Sequence, residues 1–128
     1  ERRTIPGELS GDFTRELADA VARVRATRPE LDAVVVPGFS QDPNDVPASH
    51  GIVQALARAL EAEGAPAPIE GLMCWTDAAL ITAAGIPAVC FGPGDIAVAH
   101  ASEEFIPVRE IEVATRVLAS VLRGWLAA

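Results

Sequence analysis

The sequence predicts an α/β fold in which amphipathic helices alternate with short apolar strands. Two apolar runs, at residues 33–36 and 87–91, each end at a Pro/Gly turn, which is a common boundary of a strand. Two longer stretches, residues 13–27 and 109–126, carry apolar side chains at the spacing of an α-helix. Half of all residues are hydrophobic, so the chain has enough apolar side chains to build a core.

The first forty residues predict a strand, a helix and a second strand. Residues 1–4 are expected to be extended, and Asp12 is placed to cap the helix that follows. Pro29 should end this helix, and the β-branched run at 33–36 forms the second strand. The turn-rich stretch at 40–51 is the best candidate for a crossing between domains.

The remaining residues predict helix, short strand, helix, strand, loop and helix. The first helix runs from Ile52 to Glu63 with Gly64 as its stop, and a short strand at 69–74 follows. The next helix is short and apolar, so it should be buried, and the strand at 87–91 should be covered on both faces. The last helix, residues 109–126, has an expected inner face of Ile111, Ala114, Val117, Leu118, Val121, Leu122 and Trp125.

The charge balance argues against nucleic acid and membrane partners. All ten basic residues are arginine, and eighteen acidic residues bring the formal net charge to −8. A phosphate backbone and an anionic lipid surface would both be repelled. No apolar run approaches the roughly 20 residues that span a bilayer, and no secretory signal pattern opens the chain. We therefore expect a cytoplasmic protein, and the start at Glu1 within a predicted strand suggests a piece of a longer chain.

A lone histidine in a Gly/Pro-rich loop is the main candidate for chemistry. His100 follows a predicted buried strand, with Asp95 before it and Glu103 and Glu104 after it. Neutral imidazole is a common zinc ligand, and a nearby carboxylate can fix its tautomer. The alternative is an exposed loop histidine without a role. A zinc site needs three or four protein ligands, and His50, at a helix start, is the only other histidine, so a complete site is not expected here.

Other candidate residues are weaker on their own. Gly92 to Gly94 could bring backbone N–H groups close to a carboxylate, or form a plain turn. One of Arg2 and Arg3 could clamp a substrate carboxylate, or both could belong to a solvated sheet face. Cys74 and Cys90 are expected to be reduced, buried thiols.

Four segments in order resemble the C-terminal part of a known family. They are ERRTIPGE at 1–8, CWTDAALITAAGIPAV at 74–89, FGPGD at 91–95 and AHASEEFIPV at 99–108. The family is that of acetylornithine deacetylase and succinyl-diaminopimelate desuccinylase, which are binuclear zinc hydrolases. The likeness covers essentially the whole chain.

The resemblance implies a division into two parts and a role for each candidate. Residues 1–44 would be part of a lid or dimerisation domain, an antiparallel sheet with a helix, and 45–128 the C-terminal part of a zinc-hydrolase domain, a mixed or parallel sheet with helices on its faces. His100 matches the last zinc ligand of the family. Arg3 matches the arginine that holds the substrate carboxylate, and Gly92 and Gly94 belong to the loop that helps to bind that end.

The family's other zinc ligands, its general-base glutamate and its lid histidine have no counterpart here, so no catalytic residue is expected in this chain. The resemblance implies a parent enzyme with two zinc ions, with cobalt or manganese as alternatives. That parent would remove an acyl group from an N-acyl amino acid and would form a homodimer through the lid, and the isolated chain would be inactive. The alternatives are a dipeptidase or carboxypeptidase of the same family, and a non-catalytic dimerisation or interaction module.

Overall fold

A computed structural model describes residues 2–127, and these residues fall into two compact units. The first unit contains the chain up to Asp45 together with Met73–Ile86, and the second contains Val46–Leu72 together with the chain from Pro87 onward. The α-helices in this part of the chain are α1 (Ser10–Thr27), α2 (Gly51–Ala62), α3 (Ala78–Ala83) and α4 (Val108–Leu126), with a 3-10 turn at Ile96–Val98. Helices α1 and α3 belong to the first unit, and α2, α4 and the 3-10 turn belong to the second.

The predicted α/β fold is wrong, because residues 2–127 contain no β-strand. Within the same residues, neither the antiparallel lid sheet nor the mixed or parallel sheet forms. A strand needs a neighbour that completes its backbone hydrogen bonds. The carbonyl of Ala33 instead accepts a hydrogen bond from Arg25 Nη2 at 2.8 Å. Val34 and Val36 are 78% and 80% exposed, so the apolar face that a sheet would cover lies in solvent.

The second predicted strand, at 87–91, also lacks a partner strand within the described residues. Ala88, Val89 and Phe91 line an open groove with side chains of α2 and α4. The apolar character of this segment therefore reflects contact with helices and not a place in a sheet. The expectation of buried thiols is also wrong, since Cys74 and Cys90 are both exposed.

The long helices agree with the sequence pattern, with small shifts at their ends. Helix α1 begins two residues before Asp12, and the Asp12 carboxylate accepts a hydrogen bond from the Leu9 amide at 3.0 Å. Asp12 thus satisfies a free amide at the start of the helix from the third helical position and not from the cap position. The helix ends at Thr27, before Pro29, as predicted.

Glycine ends α2 and α3 in the same manner. Gly64 and Gly85 have φ angles of +66° and +85°. Residues with a Cβ atom rarely adopt such angles, whereas glycine adopts them readily. At each helix end, the glycine amide and the amide that follows it donate to carbonyls of the last turn. Helix α3 is not buried as predicted: Ala78 is buried, but Leu80 and Ile81 are 49% and 42% exposed.

The core of the second unit lies where α2 and α4 pack against each other. Val53 and Ala59 of α2 and Ala114 and Val117 of α4 are buried, and Val117 is fully enclosed. Arg116 Nε donates to Glu63 Oε2 at 2.6 Å beside this contact. The predicted inner face of α4 is therefore only partly buried, and these larger members of it are more than two-fifths exposed: Ile111, Leu118, Leu122 and Trp125.

The first unit is organised around Arg2, whose guanidinium donates to the carboxylates of Glu8 and Glu16 and lies 5.6 Å from the ring centre of Phe13. Hydrogen bonds to Glu8, and to a smaller extent to Glu16, raise the pKa of Arg2 above its ordinary value.

In the described part of the chain, each helix is too short or too polar to traverse a lipid bilayer.

Val117→Ala should destabilise the second unit, because it opens a cavity at the one fully enclosed large side chain among the described residues. We expect a loss of about 2 kcal/mol in the free energy of unfolding, measured by urea denaturation followed by circular dichroism. Val108→Ala is the matched control, since Val108 is 71% exposed on the same helix. An equal effect of the two substitutions would contradict the packing described here.

Candidate functional site

The candidate site is a loop of the second unit, residues 92–104, which we call the Gly-His loop. It follows the apolar segment 87–91 and leads towards α4. It contains Gly92, Gly94 and His100, three of the four site residues expected from the sequence. The fourth, Arg3, belongs to the first unit.

The start of the loop is fixed at Gly94. Its φ angle is +93°, and its amide donates to Glu110 Oε2, in the first turn of α4, at 2.9 Å. A Cβ atom at this position would lie 3.2 Å from Ile106 Cγ1, which is closer than side-chain contacts normally allow. Glycine is therefore favoured here by the backbone conformation, and a Cβ atom would also require the Ile106 side chain to shift by a few tenths of an ångström. Gly92, by contrast, has open space around the position of a Cβ atom.

The middle of the loop is a capped 3-10 turn. The side chain of Asp95 accepts a hydrogen bond from the Ala97 amide at 2.8 Å, as an N-capping residue does. Asp95 thus stabilises the turn that leads to His100, which is a different role from that of a carboxylate partner for the imidazole.

His100 has a left-handed backbone with a φ angle of +65°, unlike every other non-glycine residue in the described chain. Its amide donates to Glu104 Oε2 at 3.0 Å. The Glu104 side chain therefore contacts the backbone of His100, whereas the sequence analysis considered a nearby carboxylate as a partner for the imidazole ring. The residue itself is exposed.

A complete metal site does not exist within residues 2–127. No group of three or more histidine, cysteine, aspartate or glutamate side chains in this part of the chain could hold a metal ion. His50 is the N-cap of α2, where its Nδ1 atom accepts a hydrogen bond from the Ile52 amide at 3.3 Å. The prediction that His50 lies at a helix start is confirmed. The described residues therefore do not fit a two-zinc centre.

The two neighbouring arginines of the first unit differ in their surroundings. Arg2 is half-buried and bound to two carboxylates, whereas Arg3 is exposed. Arg2 is therefore engaged within the first unit by the carboxylates of Glu8 and Glu16.

No sequence pattern indicated that the Glu104 and Glu110 carboxylates accept hydrogen bonds from the loop backbone. Both were visible only as acidic residues near the candidate histidine and near the start of the last helix. Each carboxylate accepts a hydrogen bond from the main-chain amide of a residue whose φ angle is positive. A glycine or an isolated histidine followed by a glutamate is too common a pattern to indicate such a bond.

Comparison with known proteins agrees with the resemblance of the sequence. Residues 11–124 match the profile of Peptidase family M20/M25/M40. Since the match covers most of the chain, this protein belongs to that peptidase family. No solved structure matches the chain.

Three curated relatives carry names of amide hydrolases. Sequences from two strains of Mycobacterium tuberculosis, provisionally named succinyl-diaminopimelate desuccinylase DapE, are each 39% identical over 74 residues, which is 58% of this chain and 21% of theirs. The N-acetyl-L-citrulline deacetylase of Xanthomonas campestris is 45% identical over 38 residues, which is 30% of this chain and 10% of its own length. The chain thus spans about a fifth or less of the curated relatives that it matches.

Gly94→Ala should destabilise the Gly-His loop, because alanine disfavours a φ angle of +93° and its Cβ would press on Ile106. We expect a loss of about 1–2 kcal/mol in the free energy of unfolding of the second unit, measured by urea denaturation. Gly92→Ala is the matched control within the same Gly-Pro-Gly sequence and should change this value by less than about 0.5 kcal/mol. A larger effect at Gly92 than at Gly94 would contradict the loop geometry.

Proposed function

We propose that this chain is the C-terminal part of a metal-dependent hydrolase that removes an acyl group from an N-acyl amino acid. The observation that carries this proposal is the family match over residues 11–124, which includes the whole Gly-His loop. The names of the relatives support the substrate class, because a desuccinylase and a deacetylase both cleave an amide bond between an acyl group and an amino-acid nitrogen.

Within this proposal, His100 is a metal ligand contributed to a site that other residues complete. Its exposure and its place on a loop anchored by carboxylates support this role, because a ligand must be accessible and held in position. The parent enzyme would hold two zinc ions, with cobalt or manganese as alternatives. The donor set within residues 2–127 does not fit that centre, so we propose that residues outside this range supply the remaining metal ligands.

Arg3 and the Gly92–Gly94 segment are proposed to bind the substrate carboxylate. An arginine guanidinium can donate two parallel hydrogen bonds to a carboxylate. The open space beside Gly92 supports a close approach of the ligand to the loop backbone. In this proposal the chain supplies some of the residues that bind the substrate but no catalytic residue. We therefore propose that the chain alone does not turn over substrate.

The proposal includes a division into a lid part, residues 1–44, and a catalytic part, residues 45–128. Homodimerisation through the lid and a location in the cytoplasm belong to the same proposal. A dipeptidase or carboxypeptidase parent is the second candidate, favoured by the peptidase designation of the family. Both candidates cleave an amide bond, so they differ in the leaving group and not in the type of reaction.

A chimaera tests the role of His100 directly. Residues 11–124 would replace the corresponding segment of the Mycobacterium tuberculosis relative, and hydrolysis of N-succinyl and N-acetyl amino acids would be measured with zinc present. We expect His100→Ala in the chimaera to lower kcat by about 100-fold or more, since even residues that support metal ligands are worth 10–100-fold.

His50→Asn is the matched control for this experiment, because asparagine can still cap α2. It should change kcat by no more than about threefold. A chimaera that hydrolyses these substrates equally well with and without His100 would refute the proposed ligand. Faster cleavage of dipeptides than of acyl amino acids would favour the second candidate.

A further inference from the structure

We propose that Glu104 and Glu110 are positioning residues that set the backbone of the Gly-His loop, Glu104 at His100 and Glu110 at Gly94. Neither carboxylate is assigned to the metal or to the substrate. The functional meaning of this inference rests on the proposed role of the loop, whereas the geometry stands without it.

The first observation is the backbone of His100. A side chain at a φ angle of +65° crowds the neighbouring carbonyl, so this conformation is uncommon outside glycine, although histidine adopts it more often than most residues. Such a conformation persists only where the surroundings hold it. A strained residue at a candidate site is therefore a reason to look for the contact that maintains it.

The contact at His100 is the hydrogen bond from its amide to Glu104 Oε2, with a length of 3.0 Å. A carboxylate is a stronger acceptor than a neutral group, since the acceptor carries a full charge. Four residues separate donor and acceptor, so the bond closes a short ring in the backbone. Its expected effect is to favour the left-handed conformation of His100 over the extended one.

The second observation is a longer bond across the sequence. The amide of Gly94 donates to Glu110 Oε2 at 2.9 Å, and Glu110 lies in the first turn of α4, sixteen positions later. This bond ties the start of the loop to a helix that is itself held by the buried contact with α2. Because Gly94 and His100 are only six residues apart, the two carboxylates fix the backbone on both sides of the turn that Asp95 caps.

This arrangement places His100 on a backbone that is held before any ligand arrives. A histidine whose backbone is already ordered loses less conformational entropy when it binds a metal ion. The free-energy cost of binding is therefore lower. We infer that Glu104 and Glu110 act on the backbone independently, since each carboxylate binds a different amide.

The test is a crossed measurement of amide–water exchange by NMR on this chain, with Glu104→Ala and Glu110→Ala. We expect Glu104→Ala to speed exchange at the His100 amide by about tenfold or more and to leave the Gly94 amide within about threefold. Glu110→Ala should speed exchange at the Gly94 amide by about tenfold or more and leave the His100 amide within about threefold. A general loss of structure would speed exchange at both amides in both variants, so the crossed pattern separates positioning from overall stability.

Conservative substitutions and a neighbouring carboxylate provide the controls. Glu104→Gln and Glu110→Gln keep an acceptor oxygen and should restore slow exchange to within about threefold of the unmodified chain. Glu103→Ala removes an exposed carboxylate that takes part in neither bond and should leave both amides unchanged. A strong nuclear Overhauser effect between the amide and α protons of His100 reports the left-handed backbone and should weaken only in Glu104→Ala.

Equal effects at both amides, or no effect of either alanine variant, would overturn the positioning role. A titration with zinc ion alone, followed at the histidine ring protons, separates this result from a failure of the proposed function. We expect the His100 ring to respond before the His50 ring, because His50 Nδ1 already accepts a hydrogen bond from Ile52. A crossed exchange pattern would uphold the positioning role even where the chimaera shows that His100 is not a metal ligand.

Discussion

The contact between α2 and α4 is the interaction on which the arrangement of the second unit depends. Val117 is fully enclosed there, with Ala114, Val53 and Ala59 around the same interface. Helix α4 also carries Glu110, whose carboxylate holds the Gly94 amide. The Glu110 side chain thus connects the Gly-His loop to α4. Because α4 packs against α2, a change in that packing would move the loop.

The same contact explains why so much apolar surface is left uncovered. The side chains that are buried in the second unit are valine and alanine, whereas Leu118, Leu122 and Trp125 on α4 are largely exposed. An amphipathic helix normally buries its whole apolar stripe against a second layer of structure. Two helices without a sheet bury only the part of that stripe that faces the partner helix.

The sequence predicted the helices well and the sheet wrongly, for a physical reason. A helix such as α4 is specified locally, by side-chain periodicity and by residues at its ends. The segments 33–36 and 87–91 have strand-like composition, but a strand also needs a distant segment as its partner. That requirement cannot be inferred from one apolar run, so the pattern predicted strands that the described residues do not form. Burial was overestimated for the same reason, since Cys90 and Leu80 are exposed.

For the site, the sequence identified the residue types but not what holds them. His100 and the two glycines were predicted from their position after an apolar run, and they lie in one loop. The backbone roles of Glu104 and Glu110 depend on φ angles and on the register between loop and helix, which no local pattern encodes.

The central claim is that this chain carries one ligand of a metal centre that other residues must complete. Measurement of zinc per chain after loading and exhaustive dialysis, with His100→Ala alongside, tests this claim most directly. We predict essentially no retained zinc in either protein, because a single histidine holds zinc too weakly to survive dialysis. Two zinc ions retained per chain, and lost in His100→Ala, would contradict the claim and would mean that copies of the chain complete the site among themselves.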